Sequence, residues 1–272
     1  MSKIKMNQKI DSFHLFFILL GFIALLFILL PPLKTVFSFS PITWWATLLE
    51  EEVYHSILLT INAALAATLI GILLGIPLAY LLARHQFRGK KFLEALIDIP
   101  IVIPHSAAGV ALLFVFGRKF ILGKFFHNLG IDFFQTFAGV VLAMMFVSIP
   151  FLIDSAKEGF KAIDVRLEKV ARTLGASPWQ VFFRISLPIA AKSILSGSIL
   201  MWARGVSEFG AIMIIAYNAS FLGINSKVLP ILVTDRFNFG LNYARPVAAV
   251  GIIISLIIFI VLRLIVSRGE KR

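Results

Sequence analysis

The chain has 272 residues, 59% of them hydrophobic and 15% charged, with a net charge of +12 and no cysteine. Soluble domains run to about 45–50% apolar and about 25% charged residues, so the composition places the chain in a bilayer, as one membrane domain with no soluble domain attached. Absence of cysteine excludes a disulfide framework, an iron–sulfur cluster and a thiolate zinc site, and the basic residues flank apolar spans instead of forming one polar face, which argues against nucleic acid as a partner.

Apolar runs predict six transmembrane helices, at about 13–31, 57–83, 93–117, 136–155, 188–217 and 245–266. The first follows Lys3, Lys5 and Lys9 as a secretory signal would. Its apolar stretch Phe13–Leu30 is longer than the usual core of about 7–15 residues, however, and Leu30-Pro31-Pro32-Leu33 offers no small-residue cleavage pattern, so it is expected to stay as a helix. Residues 32–56 form an outer loop whose Trp44, Trp45 and Tyr54 suit a membrane interface, with Glu50, Glu51 and Glu52 as a solvated patch. In the second span Gly71 and Gly75 permit close helix approach.

The third span is irregular. Pro100 and Pro104 interrupt the helical hydrogen-bond ladder, and broken backbone is tolerated at membrane depth only inside protein or beside water. This helix either kinks for packing or lines a pathway, and Pro104, His105 and Ser106 form the stretch it would present there. If the chain starts inside, the inner segments 1–12, 84–92, 156–187 and 267–272 hold 3, 4, 6 and 3 Lys or Arg, against seven in the outer segments. Positive loops resist translocation, so both termini are expected to be cytoplasmic.

Between spans four and five lies the one long polar segment on the inner side. Ile163, Leu167, Val170, Ala171 and Leu174 draw an apolar stripe at helical spacing, with Asp164, Arg166, Glu168, Lys169 and Arg172 around it. Gly175 suits the left-handed residue that stops a helix, Ser177 can cap the next one, and Pro178 fits its first turn. Trp179, Phe182 and Phe183 are expected to pack apolar surface, and Leu187-Pro188 to turn the chain back into the membrane. The result would be two short helices and a tight turn lying flat on the inner face, resting on lipid or serving a partner.

Arg204 and Glu208 fall within the fifth span, four apart and hence on one helix face. A charge at membrane depth costs at least about 2.5 kcal/mol on insertion scales, so the pair is expected inside protein or beside water. It either neutralises itself for structure or lines a pathway or gate, where Arg204 meets an anion briefly and Glu208 keeps it from being trapped. The chain has no GxxxxGK[ST] phosphate loop, no Ser/His/Asp arrangement and no histidine pair in a metal context, so no catalytic residue, metal or cofactor is expected on it.

Gly175 followed by Ile185, Leu187 and Pro188, at offsets of ten, twelve and thirteen, resembles the cytoplasmic-loop motif of binding-protein-dependent ABC transporter permeases. One position departs from it: six before the glycine stands Lys169, with the acid at Glu168 and the alanine at Ala171. The stretches FLEALIDIPIVIPHSAAGVALLFVFG, FVSIPFLIDSAKEGFKAIDVRLEKVARTLGASPWQVFFRISLP and WARGVSEFGAIMIIAY are similar to the molybdate and tungstate branch, which is related to sulfate permeases. The resemblance implies an all-α membrane protein of the type I ABC importer permease fold, with six transmembrane helices and a cytoplasmic coupling-helix pair. Residues 1–55 would hold the first helix and outer loop, 56–266 the permease core and 267–272 a cytoplasmic tail.

It also implies partners. These are a second copy of the chain, two cytoplasmic ATPase subunits carrying ATP and magnesium, an extracytoplasmic molybdate- or tungstate-binding protein and the lipid of the cell membrane. Glu168, Lys169, Ala171, Arg172, Leu174, Gly175, Ala176, Ser177 and Pro178 would couple to the ATPase, while Ile185, Leu187 and Pro188 would shape the loop. Sulfate, phosphate or thiosulfate are alternative cargoes. An ion-coupled carrier, with Glu208 as its carboxylate, or a membrane-embedded enzyme are alternatives of another class.

Overall fold

The computed structural model describes residues 12–268. Lys3, Lys5, Lys9, Lys271 and Arg272, which contribute to the charge asymmetry, lie outside that range. Helix α1 (Ser12–Phe37) runs on through Pro31 and Pro32, α2 (Pro41–Leu48) is capped by Ser40, and α3 covers Glu51–Arg84. The predicted outer loop is therefore mostly helical, and a division at 55/56 falls inside α3. The Trp44 indole donates to the Val36 carbonyl at 3.2 Å, which closes the corner between α1 and α2.

The third span is not one helix. Its parts are α4 (Lys90–Ile97), α5 (Ile99–Val102) and α6 (His105–Phe116), bent by 113° where Pro104 ends the first arm. Then come α7 (Ile121–Asn128), α8 (Phe137–Lys161), α9 (Val165–Thr173) and α10 (Pro178–Val181), which continues through a π-helical turn at Phe182–Ser186 into α11 (Leu187–Val206). A short α12 (Gly210–Ile215), a hairpin of β1 (Ala219–Phe221) and β2 (Ile224–Ser226), α13 (Leu229–Asn238) and α14 (Leu241–Arg268) complete the described chain. Among the described residues five helices are long and apolar enough to cross a membrane, and the count is six when the bent pair is taken as one span. The hairpin is a small departure from an all-helical reading.

The centre is built by α3, α8 and α11. Ser155 and Gly159 on α8 face Ser193 and Gly197 on α11, so each helix brings a small-xxx-small pair to one crossing. A Cβ on Gly159 would lie 2.5 Å from that of Ser193, and one on Gly197 2.6 Å from that of Ser155. The Ser155 hydroxyl donates to the Ser193 carbonyl at 2.7 Å across the same gap. Gly71 and Gly75 bring α3 against Met201 of α11 and Ile153 of α8. Gly197→Leu is expected to push α8 and α11 apart and to cost about 2–3 kcal/mol of overpacking, read as a lower unfolding temperature in detergent. Gly21→Leu on α1, where a side chain would meet nothing within 4 Å, serves as the control and should unfold like the wild type.

At the end of the bundle away from α9, α7 is tied down electrostatically. Arg118 donates from Nε and Nη2 to the two Asp132 oxygens at 2.8 and 2.6 Å, and His127 Nδ1 lies 3.0 Å from Oδ1. The Arg118 hydrogen bonds hold the Asp132 carboxyl down at about 2, with His127 adding to the effect. A carboxyl depressed on folding stabilises above its unfolded value and loses that stabilisation as pH falls through the folded one. Limited proteolysis near α7 is therefore expected to be flat from neutral pH down to the ordinary carboxylate range and to rise toward pH of about 2, while Asp132→Asn should be cut readily at every pH. Glu50 and Glu52 are likewise not merely solvated: both accept from Arg236 of α13 at 2.9 Å.

Candidate functional site

Two clusters stand out, one at each end of a single long helix. The polar segment does form helix, turn and helix. Asp164 caps α9, and Gly175 follows it with φ of +91°, the left-handed geometry that glycine adopts without a Cβ penalty. Ser177 and Gln180 then make a reciprocal capping box at the start of α10, and Arg172 Nη1 donates to the Ala176 carbonyl at 3.0 Å across the turn.

Two expectations about this knob need correction, and the structure adds a third feature. The chain does not turn at Leu187-Pro188: α10, the π turn and α11 form one unbroken helix, Pro178–Val206. Pro188 has no N–H to give its preceding turn, and the Leu187 N–H reaches back five residues to the Phe182 carbonyl, so the wider turn carries the helix past the proline. The apolar stripe is left largely uncovered by the chain itself. Ile163 is buried, but Leu167, Val170 and Leu174 are exposed, Leu174 by 82%. The α9 residue that is buried is the acid Glu168. Finally, Trp179 and Phe183 stack on each other in the open, and only Phe182 packs inward, edge-on to Tyr80.

Glu168 enters the bundle because it finds two partners there. Arg84, the last residue of α3, donates to its Oε1 from Nε at 2.9 Å and Nη2 at 2.7 Å, and the buried Ser186 hydroxyl donates to the same oxygen at 2.6 Å. Beside this contact opens a cavity of about 630 Å3, lined by Tyr80, Arg84, His85, Lys169 and Arg172 among others. Lys169, Arg172, Leu174, Gly175, Ser177 and Pro178 are exposed and Ala176 half-buried. Ile185 is half-buried in the π turn. Sequence reasoning missed Arg84 and Ser186, since Arg84 reads simply as a charge that ends a span.

At the far end, α11 stops at Val206 and Glu208 lies in the break before α12, so Arg204 and Glu208 are not on one continuous helix. They meet nonetheless. Arg204 Nη2 donates to Glu208 Oε2 at 2.9 Å, and Glu208 Oε1 accepts the Ala211 N–H at 2.9 Å, holding the start of α12. Arg204 also lies 2.7 Å from His105 Nε2. The same Arg204 Nη2 is 3.3 Å from His105 Nδ1, and that Nδ1 is 3.6 Å from Glu208 Oε2, so the imidazole edge bridges the arginine and the acid. The Glu208 side chain is 1% exposed, Arg204 25% and His105 37%, so the cluster has a buried acid with a more accessible arginine and histidine around it.

The two broken spans cross at their breaks. A Cβ on Gly210 would lie 2.7 Å from that of His105 and 3.1 Å from the Ser106 nitrogen, so only a glycine lets α12 start there. Pro104 sets the geometry by ending the first arm and preceding α6, while Ser106 stays exposed next to His105. An apolar cleft of about 610 Å3 opens beside the cluster, between Val206, Ser207, Phe209, Pro230 and Gly251. The arrangement is that of an arginine at a helix break, paired with a buried carboxylate and flanked by a histidine, and among the described residues no group of three or more His, Cys, Asp or Glu could hold a metal ion.

The profile of a family described as "Binding-protein-dependent transport system inner membrane component" matches residues 71–272. The molybdate/tungstate transport system permease protein of Pyrococcus furiosus is 44% identical over 226 residues, covering 83% of this chain and 83% of that protein. A probable sulfate transport system permease protein of Chlorokybus atmophyticus is 33% identical over 196 residues, covering 72% and 68% respectively. Among solved structures, a chain of a bacterial alginate ABC transporter in complex with an alginate-bound periplasmic protein superimposes with a TM-score of 0.68 over 95% of this chain and 94% of that one. At 17% identity that likeness speaks for the fold alone.

Proposed function

The chain belongs to the binding-protein-dependent transport system inner membrane components, and we propose that it is the membrane-spanning subunit of an ATP-driven importer of molybdate or tungstate. Two copies line one pathway. The α9–α10 knob of each faces the cytoplasm, in keeping with the basic inner segments, and docks on an ATPase subunit through Leu174, Gly175, Ala176, Ser177 and Pro178, with Lys169 and Arg172 at its edge. ATP and magnesium reside on that ATPase. An extracytoplasmic binding protein delivers the anion on the opposite side.

One observation carries this reading: the unbroken helix Pro178–Val206 joins the knob to the Arg204 cluster. A displacement at Pro178 therefore reaches the membrane interior without an intervening hinge loop. When ATP draws the ATPase subunits together, the knobs approach and the helices rock, as they do in secondary carriers, turning the pathway outward; hydrolysis resets it. A dianion meeting hydrocarbon unaided faces a prohibitive desolvation cost. Arg204, with His105 and Ser106 at its rim, offsets part of that cost in passing, and Glu208 competes for the guanidinium so the anion leaves again. Pro104 and Gly210 keep the two breaks in register.

The 44% identity to a molybdate/tungstate permease, against 33% to a sulfate one, supports the cargo assignment. The test uses the reconstituted complex with its ATPase and binding protein. ATP-dependent uptake of molybdate or tungstate is expected, with sulfate a weak competitor; uptake persisting without ATP would instead favour an ion-coupled carrier. Orientation is tested separately, because the chain has no cysteine and a single Ser177→Cys can be labelled. Labelling by an impermeant thiol reagent in intact cells, before permeabilisation, would refute a cytoplasmic knob.

A further inference from the structure

Glu168 is out of place on its helix. Every other ionisable side chain of α9 is exposed, as are Leu167 and Val170, yet this carboxylate is turned inward. Helix α9 is thus not glued to the bundle by its apolar stripe. What enters the bundle from it is one acid, and three donor contacts converge on a single oxygen of that acid: Arg84 Nε at 2.9 Å, Arg84 Nη2 at 2.7 Å and Ser186 Oγ at 2.6 Å. The side chains of Arg84 and Glu168 are 8% and 10% exposed.

Those donors belong to different elements. Arg84 ends α3, Ser186 ends the π turn that leads into α11, and Glu168 lies in the first turn of α9. An acid in a first turn and a cation in a last turn both suit the helix dipoles, so the contact joins the negative end of α3 to the positive end of α9. On the receiving side the Arg84 guanidinium lies 5.9 Å from the Tyr80 ring, and Phe160 of α8 and Phe182 of the π turn pack edge-on against that ring, tying the contact to three packed elements. The other side is open, because the cavity of about 630 Å3 lies next to the contact and gives α9 room to move. An apolar plug can slide, whereas a charge-assisted contact of this kind fixes length and direction.

We propose that Arg84 and Glu168 are positioning residues of the transport cycle: their buried ion pair, supported by Ser186, transmits movement of α9 to α3 as well as to α11. The second span is then driven together with the fifth, and the knob acts on two helices instead of one. This rests on the docking reading above, but the acid is committed inward and is no part of the docking face.

The experiment compares Glu168→Gln, Arg84→Gln and the double variant in the reconstituted complex, reading co-purification of the ATPase and anion taken up per ATP hydrolysed. The variants are expected to retain the ATPase and to lose about tenfold in uptake per ATP, with the double variant no worse than either single one. A merely structural role would lower the amount of assembled complex and leave that ratio unchanged. An unchanged ratio in assembled complex overturns the proposal and leaves the docking reading standing; loss of the ATPase from the variants also overturns it, since Glu168 would then belong to the docking face. Failure of the wild-type chain to bind an ATPase would instead remove the reading on which it rests. Should Glu168→Gln fail to insert, Ser186→Ala removes one donor and leaves the ion pair, and about a twofold to threefold fall in the same ratio is expected. No fall in that variant overturns the proposal.

Discussion

A chain carrying Arg204→Gln and Glu208→Gln together is expected to fold nearly as well as the wild type and to import no anion. Each single variant should be worse folded than the double. Removing one member of a buried pair leaves the other uncompensated, at a cost of about 3 kcal/mol, whereas replacing both by neutral groups of similar shape is close to neutral. Glu208, at 1% exposure, has few routes to water, so Arg204→Gln should be especially damaging to the start of α12, which the carboxylate holds through the Ala211 N–H. Unfolding in detergent reads the first effect and anion uptake the second. If the pair serves only to neutralise itself, the double variant transports; if Arg204 meets the cargo, restored stability is not accompanied by restored uptake. Transport by the double variant would thus end the assignment of Arg204 to the pathway.

Leu174→Asp is expected to release the ATPase from the membrane subunit while leaving the chain folded. Leu174 is 82% exposed and sits beside the tip of the knob, so a charge there disturbs no internal packing. It would, however, be buried in a docked complex, where loss of an anchoring side chain costs about 2–4 kcal/mol of binding, or roughly 30-fold to 1000-fold in affinity. Co-purification with the ATPase checks the prediction. Ile121→Asp, 88% exposed at the other end of the bundle, is the matched control and should leave the complex intact. A Leu174→Asp chain that still holds its ATPase would mean that the exposed apolar face of the knob rests on lipid. Gly175→Val probes the same turn by other means: its φ of +91° suits glycine and strains a β-branched residue, so the variant should bind its ATPase less well and couple it poorly.

The membrane setting and most spans were legible in the chain, because hydropathy over some 18 residues is a local quantity that needs no knowledge of neighbours. The knob was legible for the same reason: Gly175, Ser177 and Pro178 each act within one turn of helix, and all three sit where their local chemistry puts them. Local signals also marked Pro100 and Pro104 as a break, although not the angle of 113° it would take.

What the sequence by itself determined, then, is where helices begin and end under backbone chemistry, and which segments tolerate lipid. Only the tertiary structure decided which way the side chains of α9 face, since periodicity identifies an apolar stripe but not what will cover it. Here the stripe stays outside and Glu168 goes in, because Arg84, 84 residues away, and Ser186 supply an ionic partner that no local pattern reveals. The same holds for the crossing of α8 and α11 at four small residues, and for the meeting of His105 with Arg204 across two broken spans. Such contacts join positions far apart in the chain, so their energies exist only once the helices have packed.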